Sequence, residues 1–128
     1  MISLGDTFLL PGTRPDEGRH LFVVISDPVR SPDDVVLVPL TTFEHYKDQS
    51  CILNVGDHPF VKHPTCIGYS DAQCSPVKKL GQLLESRDIR RRKPMCEDVL
   101  ARILEGAAKT RMLPSKCDMI LHGQGLID

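Results

Sequence analysis

The sequence predicts a mainly β domain that ends in an amphipathic helix. Three observations predict it. Short apolar runs over the first two-thirds of the chain are cut at intervals by Gly, Pro and Asp clusters. Two of these runs, Phe22–Ile25 (FVVI) and Val35–Val38 (VVLV), are apolar without interruption, as in strands buried on both faces. After Pro94 the apolar residues change to helical spacing.

Taken in order, a first strand at Thr7–Leu10 follows Gly5-Asp6, a second runs over Leu21–Ser26 (LFVVIS) and a third over Val35–Leu40 (VVLVPL). Pro, Asp and Gly fill the connections between them, which reads as surface loops. Two further strands are expected at Ser50–Val55 and Thr65–Ser70, joined by the loop Gly56–Pro64, and another from Ala72 into Val77–Leu80. Met95, Val99, Ile103, Leu104, Ala107, Ala108 and Met112 then lie along one helix face. Pro94 suits a first helical turn and Leu113-Pro114 a stop. Residues 1–113 form the expected domain, and residues 114–128 a tail or docked arm.

A chain of 128 residues is the length of one domain, and 41% hydrophobic residues suffice for a core. With 16 basic against 17 acidic residues, neither disorder nor a uniformly basic nucleic-acid binder is indicated. No run approaches the roughly 18 apolar residues that span a bilayer, and MISLGD lacks the basic-then-apolar pattern of a secretory signal. No membrane partner and a cytoplasmic location are therefore expected. Five cysteines, an odd number with no C-x-x-C pair, are expected to be reduced.

Three pieces occur in an order that resembles the PemK/MazF family of toxin ribonucleases. They are Gly5-Asp6 entering the first strand, Gly18-Arg19-His20 leading into FVVIS, and Val38-Pro39-Leu40-Thr41-Thr42 closing the third strand. The resemblance spans roughly residues 4–112. Gly56-Asp57-His58-Pro59-Phe60, followed by Lys62-His63-Pro64-Thr65, is similar to a subgroup of short proteins related to the same toxins. The resemblance implies a small Src-homology-3-like β-barrel of the CcdB/PemK type, a homodimer, cleavage of single-stranded RNA without a metal or other cofactor, and inhibition by a small antitoxin protein. The family's catalytic threonine maps to Thr41. Its catalytic arginine, which directly precedes a proline, maps to His20, with Leu21 in the proline's place and Arg19 one residue early.

Metal-free RNA cleavage must take a proton from the 2′-hydroxyl and return one to the leaving 5′-oxygen. Histidine, with an ordinary pKa of about 6.5, does either at neutral pH. His20, His58 and His63 are the candidates, and Arg19 and Thr41 the groups that would steady charge on the phosphoryl oxygens. Thr42, Phe43, Phe60 and Lys62 are candidate RNA contacts, with Phe43 and Phe60 as stacking platforms beside Tyr46 and Tyr69. Residues 87–93 (RDIRRRK) carry a net charge of +4 while the rest of the chain sums to −5, so Arg90, Arg91 and Arg92 offer a rail for an RNA backbone or for an acidic antitoxin segment.

Plainer readings stand beside these. A histidine in a loop is commonly solvated or capping, the reading for His45 and His122. Asp57 after Gly56 fixes a turn, Pro59 and Pro64 stiffen it, and a charged run before a helix is commonly a solvated loop. His58, His63 and Cys66, with Cys51 on a neighbouring strand, have donor types zinc accepts, but the spacing H-x4-H-x2-C matches no finger signature, and no metal is expected. Cys74, Cys96 and Cys117 are scattered and suggest no cysteine nucleophile. The alternative to an enzyme is a non-catalytic barrel that binds nucleic acid or a partner protein through the same surface.

Overall fold

The computed structural model describes residues 1–11 and 18–128. The connection expected between the first two strands, over 12–17, lies outside them. Among the described residues seven strands and three helices run in the order β1 (Thr7–Pro11), β2 (Arg19–Val24), β3 (Val35–Thr42), β4 (Ile52–Leu53), β5 (Thr65–Ile67), β6 (Gln73–Ser75), α1 (Val77–Glu85), β7 (Arg90–Arg92), α2 (Glu97–Lys109) and α3 (Ser115–Gly123). Every strand pair is antiparallel. The spatial order is β4-β5-β3-β2-β1-β7, with β6 on β3, and among the described residues β7 and β4 do not meet, so the sheet is open. No helix among those residues is long and apolar enough to cross a membrane.

The uninterrupted runs in β2 and β3 have the cause their composition implies, because both faces of the sheet are covered. Leu21, Val23 and Ile25, with Val36, Val38 and Leu40, pack under Val99, Ile103 and Ala107 of α2 and Cys117 and Leu121 of α3. The alternate residues Phe22, Val24, Val35 and Leu37 join Phe8, Leu10 and Ile89 under Leu80 of α1. Period-two alternation thus feeds two cores from the same strands.

One edge of β3 is served in two pieces. Its end pairs β5 (Leu40↔Ile67) and its start pairs β6 (Leu37↔Gln73), so β3 advances by three residues while its partner advances by six. The surplus is taken up by a 3-10 turn at Tyr69–Asp71. Pro39 lies at that interruption. Its carbonyl accepts from Gly68 N at 2.8 Å, and its missing N–H falls where the partner strand has looped away. This is why a proline is tolerated inside the longest strand.

Three expectations are corrected. The strand expected from Ala72 into Val77–Leu80 is the short β6 followed by α1: Pro76 caps the helix from outside, and Val77, Leu80 and Leu84 repeat at i, i+3, i+7. Arg90–Arg92 is an edge strand on β1, not a solvated loop. The second helix begins at Glu97 rather than at Pro94 and ends at Lys109, with Glu97 and Asp98 at its positive end and Lys109 at its negative end. Residues 114–128, expected as a tail or docked arm, contain a further helix, α3, held by buried Cys117 and Leu121, with Ile127 buried beyond it. The remaining expected strands are shorter than drawn, β4 and β5 covering only the middle of Ser50–Val55 and the start of Thr65–Ser70.

Candidate functional site

The sheet face covered by α1 continues beyond that helix. Past Val35 and Leu37 the same parity of β3 presents Pro39 and Thr41, and past Val24 and Phe22 the same parity of β2 presents His20. These residues floor a cleft of about 680 Å³. Its walls are the β5 and 3-10 segment (Cys66 to Asp71), the loop Tyr46–Ser50, and Lys109, Arg111 and Met112 at the end of α2. The β2–β3 ladder ends at Phe22↔Pro39, and beyond it His20 and Thr41 both line the cleft.

His20 Nδ1 lies 3.1 Å from the Leu40 carbonyl. A carbonyl only accepts, so Nδ1 carries the proton, and in the neutral ring Nε2 keeps the lone pair. Thr41 Oγ1 accepts from Lys47 Nζ at 2.9 Å, and the same ammonium donates to Thr42 O at 2.9 Å. Glu44 Oε1, at 4.0 Å, is the carboxylate beside it. The loop carrying Lys47 is fixed by Asp48, whose Oδ1 accepts from Ser50 N (2.9 Å) and Ser50 Oγ (2.6 Å) and whose Oδ2 accepts from Thr110 Oγ1. Burial alone would raise the Asp48 pKa, but the hydrogen bonds from Ser50 and Thr110 outweigh it and hold the carboxyl below its ordinary value. Asp48 therefore ties the cleft loop to the end of α2 as an anion.

The other residues singled out in the sequence lie elsewhere. Arg19, one residue from His20 and of opposite parity, donates to the Asp88 carbonyl at 2.9 Å and does not line the cleft. His58 is 5% exposed, with Nε2 donating to Lys93 O at 2.6 Å and Nδ1 accepting from Phe60 N at 3.0 Å. Both ring nitrogens are engaged, so it latches the Gly56–Pro64 loop to the residue after β7. That geometry gives His58 a structural role in the free protein. His63 is exposed and donates from Nδ1 to Pro64 O at 3.1 Å, also outside the cleft.

Thr42 is exposed at the tip of β3, while Phe43 is half-buried and meets His45 edge-on at 5.4 Å. Phe60 and Lys62 are exposed on the His58 loop. Arg91 pairs with Asp6 at 2.6 Å, donates to Met1 O and sits 5.2 Å over the Phe8 ring. It is thereby part of the β1–β7 scaffold, while Arg90 and Arg92 remain exposed on the sheet edge. None of these groups lines the cleft. Among the described residues no group of three or more His, Cys, Asp or Glu side chains forms a metal-binding cluster.

Sequence reasoning missed Lys47, Asp48, Lys109 and Arg111, which bring charge to the cleft. Lys47 had a faint signal in its closeness to Thr41. Arg111 had none, because only the docking of α2 places it there. No family model matches the chain, and no curated protein matches it.

Proposed function

We propose that the protein is a toxin-type endoribonuclease that cleaves single-stranded RNA without a metal in the His20–Thr41–Lys47 cleft. The observation that carries the reading is the meeting of His20 and Thr41, twenty-one positions apart on β2 and β3, in one cleft with Lys47 on the threonine hydroxyl. In this reading the His20 ring, whose Nε2 is shielded from solvent in the free protein, turns toward the cleft as RNA binds; Nε2 then accepts the 2′-hydroxyl proton, and the freed oxygen attacks phosphorus. The P–O5′ bond breaks, leaving a 2′,3′-cyclic phosphate and a 5′-hydroxyl. Thr41 and Lys47 donate to the phosphoryl oxygens as charge grows there, and the Lys47 ammonium gives a proton to the leaving oxygen. Arg111 and Lys109 hold the flanking backbone, and Tyr46 offers a base a stacking face.

The sheet belongs in this reading to the Src-homology-3-like CcdB/PemK barrels, supported by the antiparallel order, the two-piece edge of β3 and the helix after the last strand. A homodimer, a cytoplasmic setting and a small inhibitory antitoxin complete the proposal. Purified, partner-free protein incubated with single-stranded RNA in EDTA at pH 6–8 is expected to yield cyclic-phosphate ends. His20→Ala and Thr41→Ala should each slow it by about 100-fold or more, the scale of one positioned acid–base or oxyanion group. Intact RNA with the parent and both variants alike overturns the reading.

A second reading, a non-catalytic module that binds nucleic acid or a partner protein, draws on the place of Arg19. Its guanidinium is held by the Asp88 carbonyl, away from the cleft. Salt-sensitive RNA binding without cleavage is its signature.

A further inference from the structure

We propose that Cys74 and Cys117 form a reversible disulfide that fastens the C-terminal helix α3 to strand β6. The two sulfurs stand 3.4 Å apart, the only sulfur–sulfur hydrogen-bond contact among the described residues. They join positions 43 apart in sequence. A disulfide needs about 2.05 Å, so the sulfurs must close by about 1.4 Å. The remaining cysteines are placed differently: Cys51 and Cys66 are buried on β4 and β5 or beside them, and Cys96 is exposed at the start of α2.

The surroundings give the two sulfurs different roles. Cys74 is half-buried on a strand edge, while Cys117 is 2% exposed within the core under α3. Burial first, then the neighbouring Cys74 sulfur, pushes the Cys117 thiol up to about 12. Cys74 is therefore the sulfur that meets an oxidant. Its thiolate attacks a low-molecular-weight disulfide and expels one small thiol, and Cys117 then displaces the second small thiol from the mixed disulfide, giving its proton to the departing thiolate. Two protein thiols are oxidised, and one small disulfide is reduced to two thiols.

The bond would add a covalent tie to a polar dock. Gln124, just past α3, accepts from Asp27 N at 2.7 Å and donates to Asp27 O at 3.1 Å, and Lys116 pairs with Asp34 at 2.9 Å. These contacts all reach the loop between β2 and β3. The sulfur pair is the one that reaches β6.

The folded protein treated with glutathione disulfide, then alkylated and digested, is expected to give a single cross-linked peptide pair containing Cys74 and Cys117. Its intact mass should fall by two hydrogens, and a dithiol reductant should reverse the change. The oxidised form should melt higher by on the order of 10 °C, the effect of closing a loop of this length. Cys74→Ser should abolish the cross-link, and Cys96→Ser should leave it intact. The proposal is overturned if the parent accumulates only a glutathione adduct, or if the cross-link forms only after unfolding in urea. Both readings come from the parent protein and do not depend on how the variants fold.

Discussion

Gly106→Ala is the substitution that most directly tests how α2 sits on the sheet. A Cβ at this position would press on the Tyr69 hydroxyl and lie 2.8 Å from Cys51 Cβ and 3.0 Å from the Ser50 carbonyl oxygen. The Ser50 oxygen belongs to the backbone and cannot swing aside. Tyr69 is fully buried, and its hydroxyl donates to Ile103 O at 2.6 Å, so moving the ring breaks a buried hydrogen bond. Overpacking costs about 1–3 kcal/mol, and a buried group left unpaired costs about 1–3 kcal/mol. Alanine's better helix propensity returns about 1 kcal/mol. The expected net loss is about 3 kcal/mol, or roughly 10 °C in melting temperature for a chain this size. Urea unfolding followed by far-ultraviolet circular dichroism gives the number directly. Tyr69→Phe removes the hydroxyl that the new methyl meets, so the double variant should be less destabilised than the two single losses added together, by about 1 kcal/mol. A Gly106→Ala protein as stable as the parent, or strict additivity, refutes the close packing of α2 on Tyr69.

Three further predictions follow from the site. His58→Ala is expected to lower the urea midpoint, by about 1–3 kcal/mol for the donors and acceptors it strands, while the rate of RNA cleavage below the melting range is unchanged; the reverse pattern would return His58 to the chemistry. Asp48 has a folded-state pKa below its unfolded one, so its contribution is fully present above about pH 4 and is lost as pH falls through the folded value. The stability gap between the parent and Asp48→Asn should therefore be widest at pH 7 and shrink toward pH 2–3 in urea titrations, and a constant gap would contradict the lowered pKa. Arg102, which pairs with Asp57 at 3.0 Å and donates to Ile52 O at 2.7 Å, is largely solvated. Arg102→Ala should cost no more than about 1 kcal/mol, yet speed amide exchange in the Gly56–Pro64 loop measured by mass spectrometry.

Much of the sheet was legible because its signal is local. The runs LFVVIS and VVLVPL are dense enough to demand two covered faces, and Gly5-Asp6 and the Pro and Asp clusters mark their ends. Helix α1 was missed because Val77, Leu80 and Leu84 follow Gln73–Ser75 with only Pro76 between. Nine residues with four apolar positions, Val77, Leu80, Leu83 and Leu84, read equally as the end of a strand until the cover over Phe22 and Leu37 is seen. Helix α3 was missed for a similar reason. Its apolar residues Met119, Ile120 and Leu121 are consecutive rather than spaced along one face, and its hold depends on Gln124 meeting Asp27 and Ser31 from 97 and 93 positions away, a distance no periodicity encodes. In the cleft, His20 and Thr41 were readable from their motif pieces, whereas Lys47, Asp48 and Arg111 arrive through loop and helix docking.

The basic run shows why charge along a chain and charge at a site are separate quantities. Pairing with β1 turns alternate residues of Arg90–Arg92 to opposite faces of an edge strand, and Asp6 and the Phe8 ring take up Arg91. The run is thus divided by the sheet rather than gathered into a rail. The cleft instead draws cations from two separate segments, Lys47 from the loop after β3 and Lys109 with Arg111 from the end of α2, and Asp48 joins those segments through Thr110. Lys47 is anchored on Thr41 and Thr42, while Arg111 is exposed at the rim. A fixed cation on the wall beside Thr41 and exposed ones at the rim suit a polyanion that enters along its backbone and presents one phosphate to His20 and Thr41. That division of labour, more than the total charge, is the physical basis of the proposal that RNA occupies this cleft.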